Sequence, residues 1–212
     1  MERDDLRRRL LERTLEHVPF DGWTVTALQR AAADLEVETA VALNAFPGGP
    51  EELIAFHSAE ADRRMLESLG AMNLQAMRIR DRIATAVRLR LEQNSEHREA
   101  VRRGLAFLAL PQNGPLGLKC LYRTVDAMWY AAGDTSTDYN FYTKRLLLAG
   151  VYSSTLLFWL NDSSEGHAET WAFLSRRIDE VLKIGGNLGK GMKALLDLPD
   201  RLFRLRPRAA RR

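Results

Sequence analysis

A chain of 212 residues can bury a core without metal or disulfide support, and its single cysteine, Cys120, has no second cysteine in the sequence to bridge to. The net charge of +3 conceals an uneven distribution: from Lys183 onward nine Lys or Arg face only Asp197 and Asp200, so this tail carries +7 and the body before it −4. A generally basic nucleic-acid coat is thereby excluded, and an anionic surface met at one end is implied.

The first residues are charged and run straight into helical periodicity, without the apolar core of a signal peptide or the acid-poor composition of a transit peptide, so the mature protein is expected to start here. Helical period recurs along nearly the whole chain and strand alternation is lacking, which predicts an all-α protein. A first helix is expected from Asp5 to His17, striped with Leu6, Leu10, Leu11, Thr14 and Leu15 and ended by residues 18–22. Thr24 is placed to cap a short helix through Ala33, and Glu38 or Thr39 to open another that stops at Phe46-Pro47. After Pro50 a long amphipathic helix carries Leu53, Phe56, Ala59, Met65 and Leu69, with Glu51 and Glu52 at its favoured N-terminal end.

Further helices are expected over Leu74–Gln93, from Asn94-Ser95 to Leu110, over Leu116–Tyr130, and from the cap Thr135–Asp138 to about Leu160. That last helix is apolar on nearly all sides, so core or a second subunit must cover it, and a homodimer is the natural expectation. Its charge-free run Leu146–Asn161, sixteen residues, is short of the roughly 20 of a spanning helix. Asn161–Glu165 caps a helix from His167 to Ile184, which Gly185-Gly186 is expected to end. Beyond it, Lys190, Lys193, Arg201 and Arg204 stand opposite a narrow arc of Met192, Leu195, Leu196, Leu202 and Phe203, a basic amphipathic segment kinked at Pro199 and fitted to dock on an anionic membrane surface. The expected domains are 1–50, 51–184 and 185–212.

Catalysis or metal binding requires convergent groups, and His17, His57, His97 and His167 lack ligand-like spacing, so they read as surface or structural. No catalytic residue, metal site or cofactor is expected, and the protein is read as not an enzyme. Gly185–Lys190 lacks the residues a phosphate loop needs, and Cys120, beside Leu118 and Leu121, reads as a buried thiol.

Residues 21–28 through Phe46-Pro47-Gly48 to Leu53 look like the helix-turn-helix of TetR-type repressors. The second helix of that motif carries Glu36 and Glu38 but no Lys or Arg, Leu43 stands where such repressors usually place a tyrosine, and Gly49-Pro50 replaces their lysine. The motif therefore reads as a scaffold without nucleic-acid binding. Leu110–Pro115, Val125-Asp126-Ala127-Met128-Trp129, Ala132–Arg145, and Asp162–Ser164 with Thr170–Leu174 resemble, in order and spacing, the coenzyme Q protein nine family of ubiquinone biosynthesis.

The resemblance implies a TetR-like dimer whose pocket binds isoprenoid lipid or a quinone precursor and presents it to a di-iron hydroxylase. Periodicity alone assigns the apolar stripes to ordinary core; the resemblance makes Leu105, Leu108, Leu121, Val125, Trp129, Leu148, Tyr152, Leu156 and Trp159 candidates for the lipid pocket. It places a hydroxylase-facing patch at Met128, Asp138, Phe141, Tyr142 and Arg145, and gives membrane docking to the C-terminal helix. The implied location is cytoplasmic, on the inner face of a bacterial membrane. The rival reading is a ligand-responsive transcriptional regulator of the TetR type.

Overall fold

The computed structural model describes residues 2–134 and 139–196, with the backbone alone for Glu2, 139–140 and 183–196. Among these residues the regular structure is entirely helical: α1 (Glu2–Asp21), α2 (Val25–Asp34), α3 (Thr39–Ala45), α4 (Gly49–Gly70), α5 (Ile79–Glu92), α6 (Arg98–Leu108), α7 (Gly114–Ala131), α8 (Tyr139–Trp159) and α9 (Ala168–Leu196).

Helix α1 buries Leu10, Leu11, Thr14 and Leu15 as its stripe predicts, but it continues past Val18 to Asp21. Pro19 removes one amide donor in the last turn without stopping the helix, because Val18 is fully buried and Gly22, at φ +70°, accepts the left-handed end position and donates to Val18 O at 2.9 Å. Thr24 caps α2 by accepting the Ala27 N–H, and Ala27, Leu28, Ala31 and Ala32 pack inward. Between α2 and α3 Glu36 holds φ +54°, a left-handed conformation that costs a side-chain-bearing residue free energy. At the head of α4, Glu52 accepts the Gly48 N–H and pairs with Arg7 of α1 at 2.7 Å.

The helix expected from Leu74 divides into one 3-10 turn (Leu74–Ala76) and α5 from Ile79. Met77 and Arg78 are extended at the break, and the Arg82 guanidinium donates to the carbonyls of Gln75, Met77 and Ala132, tying the turn to the end of α7. A second correction falls on Gly185-Gly186: α9 runs through both glycines to Leu196. Glycine costs about 1 kcal/mol per interior position but keeps its amide donor, so it weakens a helix without breaking the hydrogen-bond ladder.

Two cores result. The N-terminal one gathers Leu10, Leu15, Trp23, Leu28 and Phe46, and is completed by Leu53 and Ile54 of α4 and Ala100 of α6. Trp23 is its rivet, donating its indole N–H to Ala100 O at 2.9 Å against Gly104, where a Cβ would stand 3.3 Å from Nε1. The larger core, from Met65 and Val87 to Trp159 and Ile178, joins α4, α5, α7, α8 and α9.

Candidate functional site

A cavity of about 340 Å³ lies where the two cores meet, walled by α4 through α8. Trp23, Leu91, Leu105, Leu108, Leu121, Leu156 and Trp159 give it an apolar wall, while Ser58, Arg90, Asn94, Thr124 and Tyr152 bring polar atoms to it. Behind these, Asp62, 4% exposed, binds three helices together. Its Oδ1 accepts from Arg90 Nε at 2.9 Å and Thr124 Oγ1 at 2.8 Å, and its Oδ2 accepts from Arg123 Nε at 3.0 Å. Burial of Arg90 opposes its charge, but the Asp62 carboxylate reverses that and its pKa is raised; burial likewise pushes the Tyr152 hydroxyl up, so it stays protonated.

His57 lines the same cavity, buried against Trp23 with ring centroids 5.3 Å apart. Burial, reinforced by the positive charges of Arg90 and Arg64 and by His97, pushes its pKa down to about 3, so the ring is neutral at physiological pH. Asn94 is close enough to favour the charged ring slightly, yet neither His57 Nε2 nor Asn94 Oδ1 has a partner in hydrogen-bond geometry. The indole nitrogen of Trp159 is likewise buried without one.

Of the residues expected to line a lipid pocket, Leu105, Leu108, Leu121, Tyr152, Leu156 and Trp159 border this cavity. Trp129 and Leu148 border a second one of about 670 Å³, framed by α5, α7, α8 and α9 with Ile83, Val151 and Ile178. Val125 lines neither: it is packed in the larger core at 1% exposure. Sequence reasoning missed His57, Arg90 and Asn94. The available signal was the α4 stripe, since Leu53, His57, Ala61, Met65 and Leu69 recur every four residues and place a histidine in an apolar series.

Two members of the expected patch, Met128 and Arg145, are buried in the single chain. Met128 is fully buried in the larger core, because the face of α7 that carries it packs on α4. Arg145 is 5% exposed and acts internally: Nε pairs with Asp126 at 2.6 Å, an Nη pairs with Asp134 at 3.3 Å and donates to Phe141 O, and the guanidinium lies 3.3 Å from the Phe141 ring centroid. With Trp129 donating to Lys144 O and Lys144 paired to Asp134, these contacts clamp the end of α7 to the start of α8. Phe141 is half-buried under Arg145, Tyr142 is 69% exposed, and Asp138 lies outside the described residues. Of the docking segment, Lys190, Lys193, Leu195 and Leu196 fall on the backbone of α9, while Arg201, Leu202, Phe203 and Arg204 lie outside the described residues. Among the described residues no helix is long and apolar enough to cross a membrane.

Asp162 explains another of the quoted motifs. Burial would raise its pKa, but hydrogen bonds from Ser164 N–H, Thr170 N–H and the Thr170 hydroxyl outweigh that and hold it well below the usual carboxylate range. Asp162, Ser164 and Thr170 thus lock the entry to α9, while Arg98 and Arg102 of α6 cap the carbonyls that end α8. The exposed residues of α3 and the turn before it include Glu36, Glu38, Thr39, Val41 and Asn44, with no cation on that helix.

A sequence model of the family described as COQ9 matches residues 114–185, which span α7, α8 and α9 as far as Gly185. The mitochondrial ubiquinone biosynthesis protein COQ9 of Rattus norvegicus is 35% identical over 191 residues, covering 86% of this chain and 60% of its own length. That of Homo sapiens is 34% identical over 189 residues, covering 86% and 59%. The chain therefore spans about 60% of the length of these relatives. A TetR transcriptional regulator of Nitrosomonas europaea, known from its crystal structure, is similar with a TM-score of 0.70 at 21% identity, over 84% of this chain and 98% of the regulator, which shows the TetR-like fold.

Proposed function

We propose that this chain, a homologue of the COQ9 ubiquinone biosynthesis proteins with a TetR-like fold, acts in ubiquinone biosynthesis as a non-catalytic lipid carrier. It takes an isoprenoid lipid or quinone precursor into the cavity between α4 and α8 and presents it to the di-iron hydroxylase that modifies the ring. The observation that carries the reading is the cavity itself. At about 340 Å³ it lies within the roughly 300–1,000 Å³ range of small-molecule sites, and six of its lining residues are those expected for a lipid pocket.

The remaining parts of the reading have separate supports. On α8, Leu146, Gly150 and Leu157 recur at near-heptad spacing on an exposed face, Leu146 at 74% and Leu157 at 58%, and a second copy of the chain would cover them. Tyr142, with the half-buried Phe141, supplies the aromatic surface for the hydroxylase. The +7 tail and its apolar arc support reversible docking on an anionic membrane, each cation contributing about 1 kcal/mol near the surface. The absence of Lys and Arg from α3 weighs against a transcriptional regulator.

Two of the chain's four tryptophans, Trp23 and Trp159, line the cavity, so binding is readable from intrinsic fluorescence. Titration with farnesol should give a saturable change, and Leu121→Trp, which fills the cavity, should weaken binding about ten-fold or more. A flat titration alongside salt-sensitive binding to duplex DNA would favour the regulator instead.

A further inference from the structure

We propose that the cavity framed by α5, α7, α8 and α9 is a seat for the chain's own C-terminal segment, with Leu202 and Phe203 as its occupants when no membrane is present. The segment then has two sites, this cavity and an anionic bilayer, and occupying one excludes the other. This inference rests on the membrane-docking part of the proposed function and adds its regulation.

The cavity is apolar and open to water at its rim. It measures about 670 Å³ and is lined by Ile83, Leu147, Leu148, Val151 and Ile178. An apolar cavity of about 150 Å³ already accepts a benzene ring, so a leucine and a phenylalanine side chain fit here together. Ile79 of α5 and Leu182 of α9, also on its lining, are 58% and 55% exposed, two large apolar side chains left to water.

Chain geometry favours an occupant from the same molecule. Ile178, Val181 and Leu182 make α9 one wall of the cavity, and the helix then continues to Leu196. The fourteen residues from Leu182 to Leu196 carry the backbone about 21 Å along the helix axis. The seven residues from Leu196 to Phe203 span at most about 24 Å when extended, so a chain that turns back after Leu196 brings Phe203 level with Leu182. Pro199, which has no amide to give to a continuing helix, stands where that turn is needed.

Charge acts in the same direction. The residues before Lys183 sum to −4 and those from it onward to +7, so without an anionic surface the tail is drawn to its own body. Leu202 and Phe203 lie between Arg201 and Arg204, and the apolar pair that enters the cavity is the pair that would enter a bilayer. A second copy of the chain has a different place, since Leu146 and Leu157 of α8, which it would cover, do not line this cavity.

The test is photo-crosslinking of the full chain carrying Phe203→p-benzoylphenylalanine, an aromatic replacement that keeps the residue apolar. Irradiation at nanomolar concentration without vesicles should join position 203 to the same chain within 79–83, 147–151 or 178–182, read by peptide mapping. Vesicles of phosphatidylcholine with phosphatidylglycerol should abolish that crosslink, and vesicles of phosphatidylcholine alone should leave it. Independently, Ile79→Asn and Leu182→Asn, exposed rim substitutions that spare the core, should each raise affinity for the anionic vesicles about three-fold or more, because a tail free roughly a third of the time binds that much more weakly than one always free. A crosslink to another surface, to a second copy or to no part of the chain would overturn the seat, as would unchanged vesicle affinity in both rim variants. A chain that crosslinks in its cavity but binds neither kind of vesicle would overturn membrane docking and leave the seat standing.

Discussion

The helix-turn-helix end and the bundle behind it bury apolar side chains equally thoroughly, yet they treat polar groups in opposite ways. In α1–α3 the polar side chains act locally, as caps and pairs: Thr24 on the α2 amides, His17 with Asp34 at 2.7 Å, Arg30 with Asp21 at 2.9 Å, and the buried Thr14 on the Leu10 carbonyl of its own helix. In α4–α8 they join one helix to another, where Asp62 of α4, Arg90 of α5 and Thr124 of α7 close a buried network, and His57 and Asn94 stand beside the cavity. The first arrangement fixes single helices, and the second fixes helices to one another. A TetR-like scaffold whose α3 carries no cation therefore concentrates its chemistry in the bundle.

The largest expected effect comes from opening the closed network. Asp62→Ala leaves Arg90 buried without its counter-charge and should cost about 3–5 kcal/mol in urea unfolding, whereas replacing both partners by leucine and methionine should cost far less. Equal losses for the two variants would show that packing at that site outweighs charge.

The next effect is on pH dependence. Since the His57 pKa falls from 6.5 to about 3 on folding, the unfolded state binds the extra proton between those values, and stability is full above pH 6.5 and lost as pH falls toward 3. Between pH 7.5 and pH 5 wild type should lose about 2 kcal/mol more than His57→Leu, measured by denaturant unfolding at each pH. Parallel curves would mean that the ring is not held neutral by burial.

Asp162→Ala should lower stability by about 1–2 kcal/mol, because the Ser164 and Thr170 amides lose their acceptor at the entry to α9; thermal unfolding reads it directly. The smallest change has the opposite sign. Glu36→Gly relieves the left-handed backbone in the turn before α3 and should raise stability by up to about 1 kcal/mol, and a loss would show that the Glu36 side chain has a stabilising role outweighing that strain.

Helix identity was readable wherever a stripe and a cap agreed, as at Thr24 for α2, Pro50 with Glu51 and Glu52 for α4, and Asp162 before α9. Boundaries failed where long-range contacts decided them. Pro19 sits inside α1 because Val18 is buried, and Leu74–Met77 leaves the helix where Arg82, held to Ala132 O beyond α7, also binds the Gln75 and Met77 carbonyls. The apolar wall of the cavity followed from the resemblance, but its polar members did not: Asp62 and Arg90 stand 28 positions apart, and periodicity carries no information about pairing across helices. The internal pairing of Arg145 was hidden for the same reason, since its partners Asp126 and Asp134 lie on and just beyond another helix.

Native mass spectrometry of the full chain purified from cells, followed by solvent extraction, tests the central claim most directly. The carrier account predicts a bound species released on denaturation and identified as an isoprenoid quinone or its precursor, with its occupancy reduced in Leu121→Trp. A lipid-free spectrum, or a bound species present equally in the variant, would contradict it.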